Sequence, residues 1–180
     1  GGELDSTNIV DPAVSVIATL DFEHTAVLGS SMAEIARNKA GIIKASRPVI
    51  AASQPAEALD VICDTAGRLN APLHIAGKHW QTDGSHAEFT FTRGEVKIEL
   101  LQSSLIGSHQ VDNAGLAIAA LIALGEATPS LQTSEEAIRY GLAHTILPAR
   151  FEQISLPAGQ TIVIDGAHTP ASTTALGAAV

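Results

Sequence analysis

The sequence predicts an α/β fold built around a mostly parallel β-sheet. Only 3% of the 180 residues are aromatic while 46% are hydrophobic. The core must therefore be built from alanine, valine, isoleucine and leucine, which is typical of helices packed on a sheet. Buried strand patterns alternate with amphipathic helix patterns in the first part of the chain. The length suits one large domain or parts of two.

The charge balance excludes several function classes. A net charge of −9 with only ten Lys and Arg residues argues against nonspecific nucleic-acid or membrane binding, which requires clustered cations. No apolar run approaches membrane-spanning length, and no signal peptide is visible. The single cysteine, Cys63, is predicted to lie in the core and suits a reducing compartment. We expect a cytoplasmic monomer with small-molecule partners.

Both termini look interrupted. The sequence has no initial methionine and opens directly into a motif at Gly1 and Gly2. It ends, over residues 177–180, inside an apparent helix. We therefore expect an internal segment of a longer protein.

The first elements alternate between strand and helix. Residues 14–20 predict a strand buried on both faces, so residues 21–25 lie past its carboxyl end, where open α/β sheets bind ligands. Ser31 and Glu34 have capping-box spacing and predict a helix that Gly41 weakens or ends. Residues 48–53 predict a second buried strand. An amphipathic helix is then predicted with an apolar face formed by Leu59, Ile62, Cys63 and Ala66.

Further strands and helices are predicted after the first two strand–helix units. The patterns predict a short strand at 72–76, an antiparallel hairpin of 86–92 with 95–101, helices at 108–124 and 134–143, strands at 150–156 and 160–164, and a helix from near Pro170. The second of the three helices should begin at a capping box formed by residues 133–136. A proline and a return to strand patterning place a domain boundary near Pro148, with domains 1–147 and 148–180.

Several residues are candidates for chemistry, each with an ordinary alternative. His24 follows a strand and is a metal ligand, a general base or, as is most frequent, a surface residue. Lys39 is either a solvated side chain or an amine held uncharged, able to form a carbamate that ligates magnesium. Asn113, in the first turns of an apolar helix, either contacts a bound base or is an incidental polar residue beside an N-cap at Ser108.

Three further candidates follow Pro148. Asp165 ends a strand and either accepts a hydrogen bond from a ribose hydroxyl or caps the following turn. His168, near a helix amino terminus, either meets a phosphate or catalytic group or caps the same turn. Arg150 has the guanidinium geometry that matches phosphate, although an exposed arginine leading a strand is more often solvated.

Taken in order, six segments resemble motifs of the folylpolyglutamate synthase/dihydrofolate synthase family of the Mur ligase superfamily. The segments are GGELDSTN at 1–8, EHT and LG within 23–29, KAGI at 39–42, GSHQ and NA within 107–114, LPARFE at 147–152, and DGAHTP at 165–170. The resemblance implies an incomplete P-loop-type central ATPase domain, followed by the start of a Rossmann-like carboxy-terminal domain.

The resemblance also implies roles for individual residues. It makes His24 a magnesium ligand and Lys39 a carbamylated catalytic lysine that ligates the same metal. It implies substrate contacts from the adjoining residues Leu4, Asp5 and Ser6, which would touch the pterin. For ATP, it implies Asn113 at the base and Arg150 at the phosphates, with Asp165 and catalytic His168 contributed by the second domain.

The implied reaction joins glutamate to a folate or dihydropteroate carboxylate. ATP phosphorylates the carboxylate, and the amine of glutamate then attacks the acyl phosphate, with magnesium as the cofactor. Catalysis of this kind depends on positioning and charge neutralisation.

The sequence departs from the family pattern in several places. No G-x-x-x-x-G-K-[ST] motif occurs, and the family's metal-binding glutamate, which precedes Gly1, is absent too. Glu3 stands where the family has arginine, while Ala149 and Thr169 replace a glycine and an asparagine. Two rival hypotheses therefore stay open, namely another Mur-type amide ligase and a noncatalytic binding or structural remnant.

Overall fold

The computed structural model describes residues 2–22 and 31–179. The helices are α1 Met32–Ala40, α2 Ala56–Arg68, α3 Ser108–Ala127, α4 Glu135–His144 and α5 Pro170–Ala179, with 3-10 helices at Ser6–Ile9 and Pro129–Leu131. The strands are β1 Ser15–Ile17, β2 Val49–Ala51, β3 Leu73–Ile75, β4 Gln81–Ser85, β5 Glu88–Arg93, β6 Val96–Leu101, β7 Glu152–Ser155 and β8 Thr161–Ile164. The predicted α/β class is confirmed. No helix in these described ranges is both long and apolar enough to cross a membrane.

A parallel sheet in the order β1-β2-β3 forms the base of the structure. All three residues of β2 are buried, in agreement with the continuous apolar pattern that predicted this strand. The first strand is shorter than predicted, and its central residue Val16 is 41% exposed. The prediction that this strand is buried on both faces was therefore wrong, because only Ser15 and Ile17 point into the protein.

Helices α1 and α2 pack against each other and close one core cluster. Ser31 begins α1 with the predicted capping box, since its hydroxyl accepts from the Glu34 amide and the Glu34 carboxylate accepts from the Ser31 amide, both at 3.2 Å. Gly41 caps the end of α1, as predicted. The core assignment of Cys63 was wrong. The buried face of α2 carries Ala58, Ile62 and Ala66, and Cys63 lies one residue, or about 100° of helical turn, away from that face and is exposed.

Strands β4, β5 and β6 form an antiparallel meander rather than a single hairpin. The sequence pattern missed β4 because its residues are polar and Gly84 interrupts them. The meander packs on α3 through a second core cluster, in which the Trp80 ring stacks on Phe91 with 6.2 Å between centroids. Helix α4 begins at Glu135, one residue later than predicted. Its N-cap is Ser134, whose hydroxyl accepts from the Ala137 amide.

The last elements are the β7–β8 hairpin and α5. Both strands lie where the sequence pattern predicted them. Before β7 the chain makes a tight turn in which Ala149 and Phe151 have φ values of 56° and 50°, a region that L-residues seldom occupy. The two-stranded sheet is separate from the parallel sheet. The domain boundary near Pro148 stays a prediction.

Candidate functional site

A cavity of about 210 Å³ is lined by residues from four separate segments. The first turns of α3 contribute Asn113, the turn before β7 contributes Arg150, and the loop between β8 and α5 contributes Asp165 and His168. Ser172, in α5, also lines it. The fold thus brings together four of the residues that the sequence singled out, although they are spread over more than fifty positions. This space is called the small cavity below.

Asp165 joins the turn before β7 to the loop after β8. One carboxylate oxygen accepts from the Phe151 amide and the other from the Ala167 amide, both at 2.8 Å. These bonds match the capping alternative from the sequence. Since each carboxylate oxygen has two lone pairs, Asp165 keeps the capacity to accept a further hydrogen bond from a ligand.

Gly166 allows Arg150 to lie across the loop. A Cβ at position 166 would stand 2.7 Å from a terminal guanidinium nitrogen of Arg150, so any side chain there would push the guanidinium away. The Gly166 amide also donates to the Ala149 carbonyl at 2.9 Å. The exposed guanidinium is therefore placed by the loop and lines the small cavity, where it supplies a positive charge.

His168 is oriented by its own loop. Its Nδ1 lies 2.8 Å from the Gly166 carbonyl oxygen, and because a carbonyl can only accept, Nδ1 carries the proton. Nε2 is then the ring atom available to a ligand. Thr169 supplies the helix cap beside it, since its hydroxyl accepts from the Ser172 amide at 3.1 Å, so threonine can serve at the position where the family motif has asparagine.

A chain of amide hydrogen bonds crosses the start of α3. Asn113 Nδ2 donates to Gln110 Oε1 at 3.3 Å, and Gln110 Nε2 lies 3.1 Å from His109 Nε2. Gln110 is 7% exposed, so the chain is largely shielded from water. His109 and Gln110 were seen in the sequence only as parts of the motif around Asn113, and they line the small cavity with it.

A larger cavity, of about 610 Å³, adjoins the small one. It lies at the carboxyl ends of all three parallel strands, which supply Thr19, Asp21, Ala52, Ser53, Ala76 and Gly77. His109 and Asn113 line both cavities. This location agrees with the expectation that ligands bind past the ends of the strands. This space is called the large cavity below.

The other predicted site residues lie near the end of α1. The Glu3 amide donates to the Asn38 carbonyl at 2.8 Å, which brings the segment of Leu4, Asp5 and Ser6 close to the turn that carries Lys39. Asp5 caps the first 3-10 helix, and hydrogen bonds from the Thr7 hydroxyl and amide lower the pKa of its carboxyl group to about 2. Lys39 is half-buried in α1 and does not line the small or the large cavity.

A latch holds this segment in place. Asn8 Nδ2 donates to the Gly41 carbonyl at 3.1 Å, and Lys44 Nζ donates to Asn8 Oδ1 and to the Asn8 carbonyl, both at 2.9 Å. Neither Asn8 nor Lys44 was singled out as a positioning residue in the sequence. The bonds join positions more than thirty residues apart, which no local pattern predicts.

The predicted magnesium site is not contained in the described residues. Within residues 2–22 and 31–179, no group of three or more His, Cys, Asp or Glu side chains could hold a metal ion. His24 lies outside the described residues. Its role as a ligand, and the shared pocket predicted for His24 and Lys39 facing Asp165, stay predictions.

We compared the chain with known proteins. No protein-family model matches the chain. It is 38% identical over 173 residues to the dihydrofolate synthase/folylpolyglutamate synthase of Bacillus subtilis, covering 93% of this chain and 40% of that protein. The corresponding protein of Escherichia coli is 36% identical over 170 residues, which cover 94% of this chain and 37% of the relative.

Solved structures give the same result. The complex of folylpolyglutamate synthase with AMPPCP and folate superposes with a TM-score of 0.93 at 31% identity, over 99% of this chain and 44% of that one. Escherichia coli FolC in complex with DHPP and ADP superposes with a TM-score of 0.84 at 36% identity, over 98% of this chain and 40% of that one. The fold is therefore that of a Mur ligase.

Sequence identity and structural similarity together define the family within the Mur ligase fold. The chain belongs to the folylpolyglutamate synthase/dihydrofolate synthase family. It spans about 40% of the length of the curated relatives from Bacillus subtilis and Escherichia coli.

Proposed function

We propose that this chain is part of an ATP-dependent ligase that joins glutamate to the carboxylate of a folate or a dihydropteroate. The observation that carries the proposal is the meeting of Asn113, Arg150, Asp165 and His168 at the small cavity. Relatives that bear the folylpolyglutamate and dihydrofolate synthase names support the substrate class. A neighbour in complex with AMPPCP and folate supports the pairing of a nucleotide with a folate.

The reaction has two steps. The acceptor carboxylate attacks the terminal phosphorus of ATP, which forms an acyl phosphate and releases ADP. The amine of glutamate then attacks the acyl carbon, forms the amide and expels inorganic phosphate. Both steps move negative charge between oxygens, so the protein acts mainly by positioning and by charge stabilisation.

The small cavity supplies groups for this task. Arg150 offers a planar cation that pairs with phosphate oxygens. Asp165 has spare acceptor capacity for a ribose hydroxyl, and His168 presents Nε2, either as an acceptor or, when protonated, as a donor to an anion. We propose that residues 1–147 belong to the central ATPase domain and residues 148–180 to the carboxy-terminal domain. On that division, Arg150, Asp165 and His168 face Asn113 across the boundary.

We also propose that magnesium is the cofactor and that His24 and the carbamate of Lys39 would bind it. A bound magnesium ion supplies neutralisation of phosphate charge. The carbamate is testable without turnover. Carbon-13 NMR in labelled bicarbonate should give a carbamate signal that disappears in Lys39→Arg, and an unchanged signal in that variant would contradict the assignment.

A cytoplasmic location is also proposed. Its support is the cysteine content, because Cys63 is the single cysteine and is exposed, which suits a reducing compartment.

A ligase assay tests the proposed function. The protein, with whatever natural sequence flanks these residues, is incubated with ATP, magnesium and radiolabelled glutamate, and with dihydropteroate, tetrahydrofolate or a nucleotide-linked peptide. We expect ADP and a glutamylated product with one or both of the first two acceptors. Product only with the peptide would indicate another Mur-type ligase, and no ATP consumption with any acceptor would indicate a noncatalytic protein.

The 180 residues alone give a second test. Because they contain no G-x-x-x-x-G-K-[ST] motif, whose backbone amides cradle phosphates, we expect weak ATP binding and no turnover. Calorimetry that shows tight, magnesium-dependent ATP binding to these residues alone would contradict this expectation.

A further inference from the structure

Gln54 lies in the loop between β2 and α2 and joins that loop to the segment that follows β1. Its Nε2 donates to the Ala18 carbonyl at 2.8 Å, and its Oε1 accepts from the Leu20 amide at 3.0 Å. Both partners are backbone groups more than thirty positions away in the sequence. One half-buried side-chain amide therefore uses its donor and its acceptor to fix the backbone on both sides of Thr19.

The two bonds of Gln54 take the place of a strand neighbour. A residue in an adjoining parallel strand donates to the carbonyl before, and accepts from the amide after, the residue that it faces. The pairing of β1 with β2 ends at Ile17, whose carbonyl accepts from the Ala52 amide at 2.9 Å. Beyond that point the Gln54 side chain makes both bonds around Thr19. The backbone past the end of β1 is thus held by a side chain rather than by the sheet.

The segment that Gln54 holds forms part of the wall of the large cavity. Leu20 is buried in the core cluster of α1 and α2, whereas Thr19 and Asp21, on either side of it, line the cavity. Neighbouring side chains of an extended chain point to opposite sides, so a fixed Leu20 directs the other two toward the cavity. Gln54 itself is not among the described residues that line this cavity. Any effect of Gln54 on a ligand there must pass through the segment that it holds.

Asp21 has an unused acceptor at this position. Its Oδ1 accepts from the Phe22 amide at 2.8 Å, whereas its Oδ2 is buried and has no hydrogen-bond partner among the described residues. A buried carboxylate oxygen without a partner costs free energy, which a ligand with an N–H or O–H group would recover. The described lining includes Asp112 but no Lys or Arg, so a neutral or cationic donor is favoured over an anionic one.

We propose that Gln54 is a positioning residue for the ligase reaction and that it acts through Asp21. By fixing the backbone on both sides of Thr19, it holds Asp21 Oδ2 where a substrate N–H or O–H group in the large cavity can donate to it. The proposal rests on the proposed function, because the donor belongs to one of the three substrates of that reaction. Gln54 lies outside the six motif segments.

Two single variants test this proposal. Gln54→Met keeps the length of the side chain but removes both bonds to the backbone. Asp21→Asn keeps the acceptor for the Phe22 amide and replaces the unused oxygen with a donor. Steady-state kinetics give kcat and the KM for ATP, glutamate and the pterin substrate, using the protein with its natural flanking sequence. We expect both variants to change the same constant by roughly fivefold, the equivalent of one hydrogen bond of about 1 kcal/mol.

The double variant shows whether Gln54 acts through Asp21. In the Asp21→Asn background, Gln54→Met should cause no further kinetic loss, because the contact that Gln54 positions is already gone. A merely structural role of Gln54 would instead leave the two losses independent, so that they multiply to about 25-fold. Gln102→Met, at an exposed glutamine between β6 and α3, is the matched control and should leave all constants unchanged.

The contact with the backbone is measured separately. Hydrogen exchange of the Leu20 amide, followed by NMR, should be slow in the natural protein and faster in Gln54→Met. Circular dichroism checks that the variant folds. If it does not fold, Gln54→Asn replaces it, because the shorter amide cannot reach both backbone groups. Unprotected exchange at Leu20 in the natural protein would contradict the described position of Gln54.

Two failures are distinguishable. If the natural protein adds glutamate but Gln54→Met keeps every kinetic constant, or changes a different constant from Asp21→Asn, this inference is overturned and the proposed function stands. If the natural protein forms no glutamylated product, the proposed function and this inference both fail.

Discussion

The predicted site residues fall into two regions that differ in how they are held. At the small cavity, Asn113, Arg150, Asp165 and His168 come from distant segments, and hydrogen bonds to neighbouring residues orient Asn113, Asp165 and His168. Near the end of α1, Leu4 is 83% exposed and Ile9 is 91% exposed, and the segment is held from below by the Asn8–Lys44 latch. The small cavity is preformed, whereas the second region presents apolar side chains that only a ligand or another part of the protein would cover.

On the proposed function, this difference indicates how the nucleotide and the pterin substrate would be separated. A preformed, cationic space suits a nucleotide, and an exposed apolar segment suits a flat hydrophobic substrate such as a pterin. Substitutions in one region should therefore change the KM for ATP, and those in the other should change the KM for the folate or dihydropteroate. An equal effect on both KM values would break the comparison.

Arg150→Ala should have the largest effect. It removes the cation of the small cavity, and a charged hydrogen bond is worth about 1.5–3 kcal/mol, so we expect the KM for ATP to rise by roughly 10- to 100-fold. The KM for the pterin substrate should change little. Steady-state kinetics measure both values. Arg68→Ala, which removes only exposed contacts with Asp64 and Thr65, is the control.

Gly166→Ala should have a smaller effect of the same kind. The new methyl group would meet the Arg150 guanidinium and displace it without removing its charge, so we expect the KM for ATP to rise by about tenfold or less, within the range for a weakened charged hydrogen bond. Gly141→Ala is the matched control, since nothing lies within 4 Å of a Cβ there. Identical kinetics for both variants would contradict the described position of Arg150.

Lys44→Met tests the second region. It keeps the aliphatic stem but removes both donors to Asn8, so the segment that carries Leu4 loses its latch. We expect the KM for the folate or dihydropteroate to rise by a few-fold, the equivalent of about 1 kcal/mol, with the KM for ATP unchanged. Lys97→Met, on the exposed surface, serves as the control. A selective effect on ATP would contradict the separation of the two regions.

The smallest expected effect is a decrease in stability at low pH, caused by two histidines in and just after strand β3. Burial, followed by the nearby charge of Arg93, lowers the pKa of His74 below its usual 6.5, and burial likewise lowers the pKa of His79. The unfolded chain therefore takes up protons first. Stability should be complete above about pH 6.5 and should fall as the pH drops toward the folded-state pKa values.

Thermal unfolding between pH 8 and 5 measures this effect. His74→Gln should flatten the decrease, because it removes one of the two histidines whose pKa is lowered by burial. A melting temperature that rises on acidification in this range would contradict the shift assigned to His74.

Local signals in the sequence predicted local structure well. The capping box at Ser31, the apolar strand β2 and the start of α5 at Pro170 each depend on neighbouring residues, and the structure has them where they were predicted. Failures arose where tertiary packing decides. Cys63 lies just off the buried face of α2, and β4 is polar because its side chains are largely exposed.

The candidate site was predictable only in part. The strand-end rule pointed to Asp165, and the motif order pointed to Asn113, Arg150 and His168. No local pattern could show that these residues share a cavity, since that depends on how the β8–α5 loop meets the first turns of α3.

The most direct test of the central claim is a crystal structure of the protein, with its natural flanking sequence, bound to a non-hydrolysable ATP analogue. We predict electron density for the phosphates beside Arg150 and for the ribose hydroxyls within hydrogen-bonding distance of Asp165. Density for the nucleotide elsewhere, with the small cavity empty, would contradict the account.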